Sequence, residues 1–168
     1  MRPFGPSELL GRKGEKSVLV TSFLEFSKKE LNSATSEEQP MGEGLNVVQQ
    51  AYEAFARRDI PALLNLVADE VDWKVVGPTS LPHCSLRRNP AEVADFFTDL
   101  GSVEDLTVFE PREFMEAGEN VAVLGYLEAY ARDTNQKFQS EWVNVFTVRN
   151  GKITRYRGFS NTAARYGH

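Results

Sequence analysis

From Asn46 onward the apolar residues recur with helical spacing. Val48, Ala51, Tyr52, Phe55 and Ala56 fall at i, i+3, i+4, i+7 and i+8, which predicts an amphipathic helix. Asn46, with Gln49 three residues on, reads as its cap. The Asp59-Ile60-Pro61 step stops this helix and starts a second, with Leu63, Leu64 and Val67 on its buried side. In "VDWKVV", Val71, Trp73 and Val75 alternate with Asp72 and Lys74, the pattern of a half-buried strand. After the Pro-containing loop "GPTSLPHCSLRR", the stretch "NPAE" opens a third helix. Asn89 is its N-cap, Pro90 its first residue and Glu92 its third, with Val93, Phe96, Phe97 and Leu100 on the apolar face.

The periodicity then changes to that of strands. "EDLTVFEPREFMEA" is a long strand interrupted at Pro111, which places it at a sheet edge or at a bulge. Gly118-Glu119-Asn120 turns into "VAVLGYLEAYAR", and "DTNQ" turns into "KFQSEWVNVFTVR". Asn150-Gly151 is a type I′ hairpin turn leading into "KITRYRGFSN". Three helices followed by a meander of long strands define an α+β class. So long a single sheet must curl, with Pro111 and Gly125 as sites of bending. The expected fold is three N-terminal helices packed on a strongly curved, mostly antiparallel sheet, a cone with an internal pocket.

Residues 1–43 differ: "GRKGEK" and "SKKELNSATSEEQPMGEG" are polar and turn-rich. They read as a flexible tail, or as sequence ahead of a true start at Met41, before a domain spanning 44–168. The island Val18–Phe26 carries enough apolar residues to dock on that domain, but is too short to span a bilayer.

Composition adds exclusions. A net charge of −5 disfavours nucleic acid and anionic membranes as partners. The single cysteine, Cys84, excludes an internal disulfide framework and fits a reducing, cytoplasmic compartment. Neither a phosphate-binding glycine loop nor a metal-type spacing occurs, so no cofactor and no metal is expected.

A two-residue Asn150-Gly151 loop predicts the hairpin register. Val148 would face Ile153, Phe146 Arg155, Asn144 Arg157 and Trp142 Phe159, all on one side. The other side would hold Val143, Val145 and Tyr156, an apolar strip suited to a second subunit.

The stretches "AYEAFARRDIPALLNLVADEVDW", "RRNPAEVADFFTDL", "LTVFEPREFMEAGENVAVLG" and "WVNVFTVRNGKITRYRGFSNTAA" resemble the nuclear transport factor 2-like superfamily. The nearest branch is that of the SnoaL-like polyketide cyclases and ketosteroid isomerase-like proteins. The resemblance covers residues 44–165 and implies a cone, a small-molecule pocket and, as in many relatives, a homodimer through the outer sheet face. It does not fix the chemistry, because the superfamily holds isomerases, cyclases, epoxide hydrolases, dehydratases and non-catalytic binders.

It does mark departures. Where resembling cyclases carry an Asp acid/base, this chain has Asn144, and after the last strand it has Asn161 in place of a frequent Asp. The isomerase's helix Tyr and strand Asp fall on Ala51 and Val75. An amide cannot take a proton near neutral pH, but its NH₂ can donate. Asn144 is therefore either a donor to a developing oxyanion or a core amide paired to backbone or to Arg157. His83 lies where relatives place an aromatic at the pocket mouth, either as a general base or as a ring filling that slot. Arg157 would bind a carboxylate or enolate, or pack its stem at the sheet rim. Trp73, Phe97, Trp142 and Phe159 are apolar lining for a ring-shaped ligand, or core. Two function classes follow. One is an enzyme doing proton-transfer chemistry (cyclisation, isomerisation or hydrolysis) on a small apolar ring compound, with His83, Asn144 and Arg157 as its working residues. The other is a non-catalytic ligand-binding or dimerisation module.

Overall fold

A computed structural model describes residues 42–167. The expectations for the preceding tail, including the Val18–Phe26 island, lie outside the described residues. The elements are α1 (Glu43–Ala56), α2 (Ile60–Leu64), β1 (Val67–Val76), a 3₁₀ turn (Pro82–Cys84), α3 (Pro90–Val103), β2 (Glu104–Ala117), β3 (Asn120–Ala131), β4 (Lys137–Arg149), β5 (Lys152–Ser160) and a terminal 3₁₀ turn (Thr162–Tyr166). The strands form one mixed sheet in the order β1-β5-β4-β3-β2, antiparallel except for the β1–β5 pair. The α+β cone expected from the sequence is the fold observed.

Each helix forms where its apolar stripe can be buried. Val48, Ala51, Tyr52 and Phe55 of α1 lie in the core with Phe96 and Phe97 of α3 and Trp142 and Phe146 of β4. Asn46 is not the cap of α1. The helix starts one turn earlier, after Gly42, and the Asn46 carboxamide instead accepts from Gln50 at 3.1 Å. Asp59 caps α2 through the Ala62 N–H at 3.0 Å, and Asn89 caps α3 through Glu92 N–H at 3.0 Å. Val67, read as part of the second helix, belongs to β1.

Pro111 sits on the edge strand β2, where the register shifts between Pro111 and Glu113. At Gly125 of β3 a Cβ would stand 2.0 Å from Trp142 Cζ2, so only glycine lets that indole lie across the strand. Asn150 and Gly151 both have positive φ, 50° and 72°, as a type I′ turn requires.

The hairpin register differs from the one the turn predicts. Val148 does pair with Ile153, but the ladder then slips by one residue, so that Thr147 faces Arg155, Phe146 faces Tyr156 and Asn144 faces Gly158. Thr154 is the extra residue of this bulge, and from there on every β5 side chain changes face. Tyr156 turns inward and is buried, while Arg155, Arg157 and Phe159 turn to the outer face. The outer face is therefore more polar than the sequence implied. It carries Arg157–Asp72, at 2.5 Å, and a cluster in which Tyr126 donates to Glu128 at 3.0 Å and Lys137 pairs with Glu128 at 2.6 Å.

Candidate functional site

The concave side of the sheet and the faces of α1 and α3 enclose a cavity of two lobes. The inner lobe, about 80 Å³, is walled by Ala51, Tyr52, Phe55, Leu63, Trp73 and Phe97. The outer lobe, about 90 Å³, opens past Leu81, His83, Glu104, Ser140, Asn161 and Arg165. Phe96, Leu100, Leu106, Phe109, Asn144 and Tyr156 line both. Aromatic packing makes these walls stiff. Trp73 stacks on Tyr156 with centroids 4.1 Å apart, and Trp142 lies flat on Phe109 at 4.6 Å.

Asn144 stands where the lobes meet. Its alternation partner across the hairpin is Gly158, where a Cβ would come within 2.7 Å of the Tyr156 hydroxyl. That space lets Tyr156 O–H donate to Asn144 Oδ1 at 3.1 Å, while Asn144 Nδ2 donates to the Tyr52 hydroxyl at 2.9 Å. The amide is thus both paired and pocket-lining, and its partners are two tyrosines, not Arg157. An amide offers one acceptor and one donor side, so only one of the two hydroxyl protons is used on it. The proton of Tyr52 has no acceptor among the described residues. Burial pushes both phenols well above their ordinary range, Tyr52 being raised further by Tyr156 and partly restored by Asn144. They remain protonated donors, not bases.

The outer lobe ionises differently. His83 is buried and lines the outer lobe, and its Nδ1 has no hydrogen-bond partner among the described residues. Burial, with help from Arg165 and Arg87 and against Asp99, holds its pKa down at about 4. A proton taken at Nε2 would leave a buried Nδ1–H unpaired beside two guanidinium groups, so this ring is neutral and a weak base.

Glu104 is the group that sequence reasoning missed. α3 ends at Val103 and runs without a loop into β2, so Glu104, the first strand residue, shares the inward face of Leu106. It is 9% exposed, receives no hydrogen bond from any described donor, and opens onto the outer lobe. Burial raises its carboxyl to about 7, Arg165 partly opposing the rise. Arg165, 3% exposed, reaches in from the terminal turn with Nε 3.6 Å from Glu104 Oε1. Nothing in the pattern of either segment marks them, since Glu104 reads as a polar strand start and Arg165 as part of a polar terminus.

Of the residues singled out from sequence, the structure gathers His83, Trp73, Phe97, Trp142 and Asn144 around the cavity, with Asn161 at its rim. Asn161 is exposed and serves locally, accepting from Ala163 N–H at 3.2 Å while its own N–H donates to Ser140 Oγ at 2.9 Å. Phe159 reaches only the rim and is 46% exposed. Arg157 is not brought to the cavity. The bulge at Thr154 turns it outward onto Asp72, whose carboxyl it holds below the ordinary range.

A curved sheet closed by helices around an aromatic pocket is the architecture of nuclear transport factor 2-like small-molecule pocket proteins. Residues 48–156 match the model of the SnoaL-like domain, and the chain belongs to that family. Among solved structures, it is similar to an NTF2-like protein from Burkholderia xenovorans LB400, with 28% identity over 74% of this chain and 94% of that one and a TM-score of 0.67. It is also similar to TerC co-crystallized with polyporic acid, with 25% identity over 75% and 97% of the chains and a TM-score of 0.66. An LEH-like epoxide hydrolase of M. tuberculosis shares the fold at 16% identity over 74% and 87% of the chains, with a TM-score of 0.59. Comparison with curated proteins by sequence finds no match. Among the described residues, no helix is long and apolar enough to cross a membrane.

Proposed function

We propose that this protein is a pocket enzyme that moves a proton on a small, largely apolar ring compound, in a cyclisation, isomerisation or hydrolysis. The observation that carries this reading is Glu104: a buried carboxyl, poised near neutrality and free of hydrogen-bond donors, at the mouth of an aromatic cavity. A group with a pKa near the working pH both takes and returns a proton efficiently. The ring of the substrate lies against the wall formed by Phe96 and the stacked Phe109–Trp142 pair, and Glu104 acts on it from the outer lobe. His83, which the sequence offers either as a general base or as a ring filling the mouth, serves in this reading as a neutral ring of the lining. Asn144, with the tyrosines that hold it, faces the charge that develops on a substrate oxygen. TerC's co-crystal with polyporic acid supports a ligand that is a small organic molecule.

Native mass spectrometry after exposure to cell extract identifies the bound compound. Turnover is then followed in Glu104→Gln, which keeps the shape and removes the ionisation. The expected result is retained binding with turnover reduced by about 10²-fold or more. Wild-type turnover in this variant would refute the assignment.

A second reading, a non-catalytic binder, is favoured by the amides at Asn144 and Asn161. It is the correct one if the identified compound binds wild type and Glu104→Gln equally and neither converts it.

The outer sheet face, with Val143 and Val145 half-buried and Phe159 exposed, is proposed as a homodimer surface. Tyr156 is no part of it, since it faces inward. Sedimentation at twice the monomer mass, reduced to the monomer by Val145→Lys, is the expected result.

A further inference from the structure

The terminal 3₁₀ turn sends one buried side chain, Arg165, into the rest of the molecule. Arg165 Nη1 donates to Asp133 Oδ1 at 3.1 Å, in the turn between β3 and β4, and Nη2 donates to the Val103 carbonyl at 3.1 Å, at the end of α3. Its Nε makes no hydrogen bond and stands 3.6 Å from the Glu104 carboxyl. Thr162 and Arg165 of this turn, with Asn161 before it, line the outer lobe. The guanidinium therefore lies between an exposed carboxylate outside the cavity and a buried one within it. Among the described residues Arg165 is the cation that acts on Glu104, for Arg87 is engaged with Asp99 at 2.5 Å and faces His83.

We propose that Arg165 is the positioning residue of the site: it fastens the turn that covers the cavity mouth to Asp133, and from that fixed place lends Glu104 a positive charge without bonding it. The deduction rests on the reading of Glu104 as the proton-carrying group only for its catalytic meaning, because the arrangement itself exists in the free protein. A full bidentate pair would hold Glu104 as a carboxylate, and no cation at all would shift it further toward the acid. By spending its two Nη groups on Asp133 and Val103, Arg165 offers an intermediate field, and the carboxyl is left able to exist in either form. The other titratable groups around it are His83 and Cys84 from the 3₁₀ turn before α3, Asp133 behind the guanidinium, and the neighbouring Asp105, which pairs with Arg132 at 3.7 Å.

The test is a carbon-detected NMR titration of the Glu104 carboxyl in the ligand-free full chain, assigned with Glu104→Gln. In Arg165→Gln the midpoint is expected to rise above the wild-type value by about one pH unit or more, because an opposing charge is lost. Arg165→Lys, which restores the charge without the fork, should return it most of the way. Asp133→Asn frees the guanidinium to act more strongly inward and should lower it. The direction is decisive. Were Arg165 only a plug, its removal would hydrate the mouth and drop the midpoint toward the ordinary carboxyl range. A fall in Arg165→Gln, or a midpoint that none of the three variants moves, overturns the proposal. The titration needs no substrate, so an inactive protein whose Glu104 responds as stated would refute the enzymatic reading alone.

Discussion

Replacing Asn144 by Leu tests the centre of the cavity most directly. The two side chains branch alike at Cγ, and the cavity that Asn144 lines takes up the greater bulk of the methyl groups. What changes is the hydrogen bonding of Tyr52 and Tyr156, both buried. Each loses its partner while its ring stays buried, at about 1–3 kcal/mol per stranded hydroxyl. Two of them give about 2–6 kcal/mol, and the apolar gain of Leu over an amide returns about 1 kcal/mol of that. A net loss of about 1–5 kcal/mol, measured by urea unfolding at fixed m-value, is expected. The decisive comparison is the same substitution made in a Tyr52→Phe, Tyr156→Phe background, where no hydroxyl is left to strand. There Asn144→Leu should cost less than about 1 kcal/mol, or stabilise. An equal cost in both backgrounds would mean that the loss comes from packing, and that the tyrosine–amide network does not hold the site together.

The remaining predictions concern charge, space and the chain's first residues. Glu104, raised to about 7, is most favourable to folding when protonated, so its contribution is complete below its unfolded value and is lost as pH rises through 7, a span of about 3 kcal/mol. His83, depressed to about 4, has the opposite sign: its contribution is present above the ordinary histidine range and is lost as pH falls toward 4. Between about pH 4.5 and 6.5 the two slopes cancel, so thermal unfolding should be nearly flat in pH there for wild type and should rise with pH in Glu104→Gln; a flat profile in the variant would refute one of the two assignments. Gly125→Ala drives a methyl into Trp142 and should cost about 3 kcal/mol or more, read by calorimetry, with Trp142 fluorescence altered. Deleting residues 1–40 should move the melting temperature only slightly, and a collapse of stability would show that the Val18–Phe26 island completes the fold.

Much of the fold is legible because it rests on local rules. The α1 stripe, the helix break at Asp59-Ile60-Pro61, the Asn89 cap, the edge position of Pro111 and the type I′ turn at Asn150-Gly151 each follow from a handful of adjacent residues. What fails is whatever depends on counting across a distance. The register set at Asn150-Gly151 holds for the first two pairs and is then lost at Thr154, because no sequence rule marks that residue as a bulge. One unpaired residue exchanges Arg157 for Tyr156 on the inner face, and with it a charged partner of Asn144 for a neutral one. Glu104 and Arg165 were unreadable for the same reason, since each is ordinary alone and their meaning comes only from the approach of a terminal turn to the end of α3.

That exchange also explains how the cavity can hold polar groups at all. Around Asn144 the low dielectric would penalise any charge, and the groups there — an amide and two phenols with raised pKa values — stay neutral across the whole physiological range. An Asp at position 144, the residue of the resembling cyclases, would need a counter-ion, and the bulge has sent Arg157 to the other side of the sheet. Asn144→Asp should therefore titrate upward, as a buried acid, and not downward as it would beside a guanidinium. The ionisable work is displaced to the mouth, where Arg165 is close enough to make a carboxylate tolerable at Glu104 and too occupied with Asp133 to fix it. The amide in the strand and the carboxyl at the mouth are thus two consequences of one rule, that a buried charge stands only where a partner can reach it.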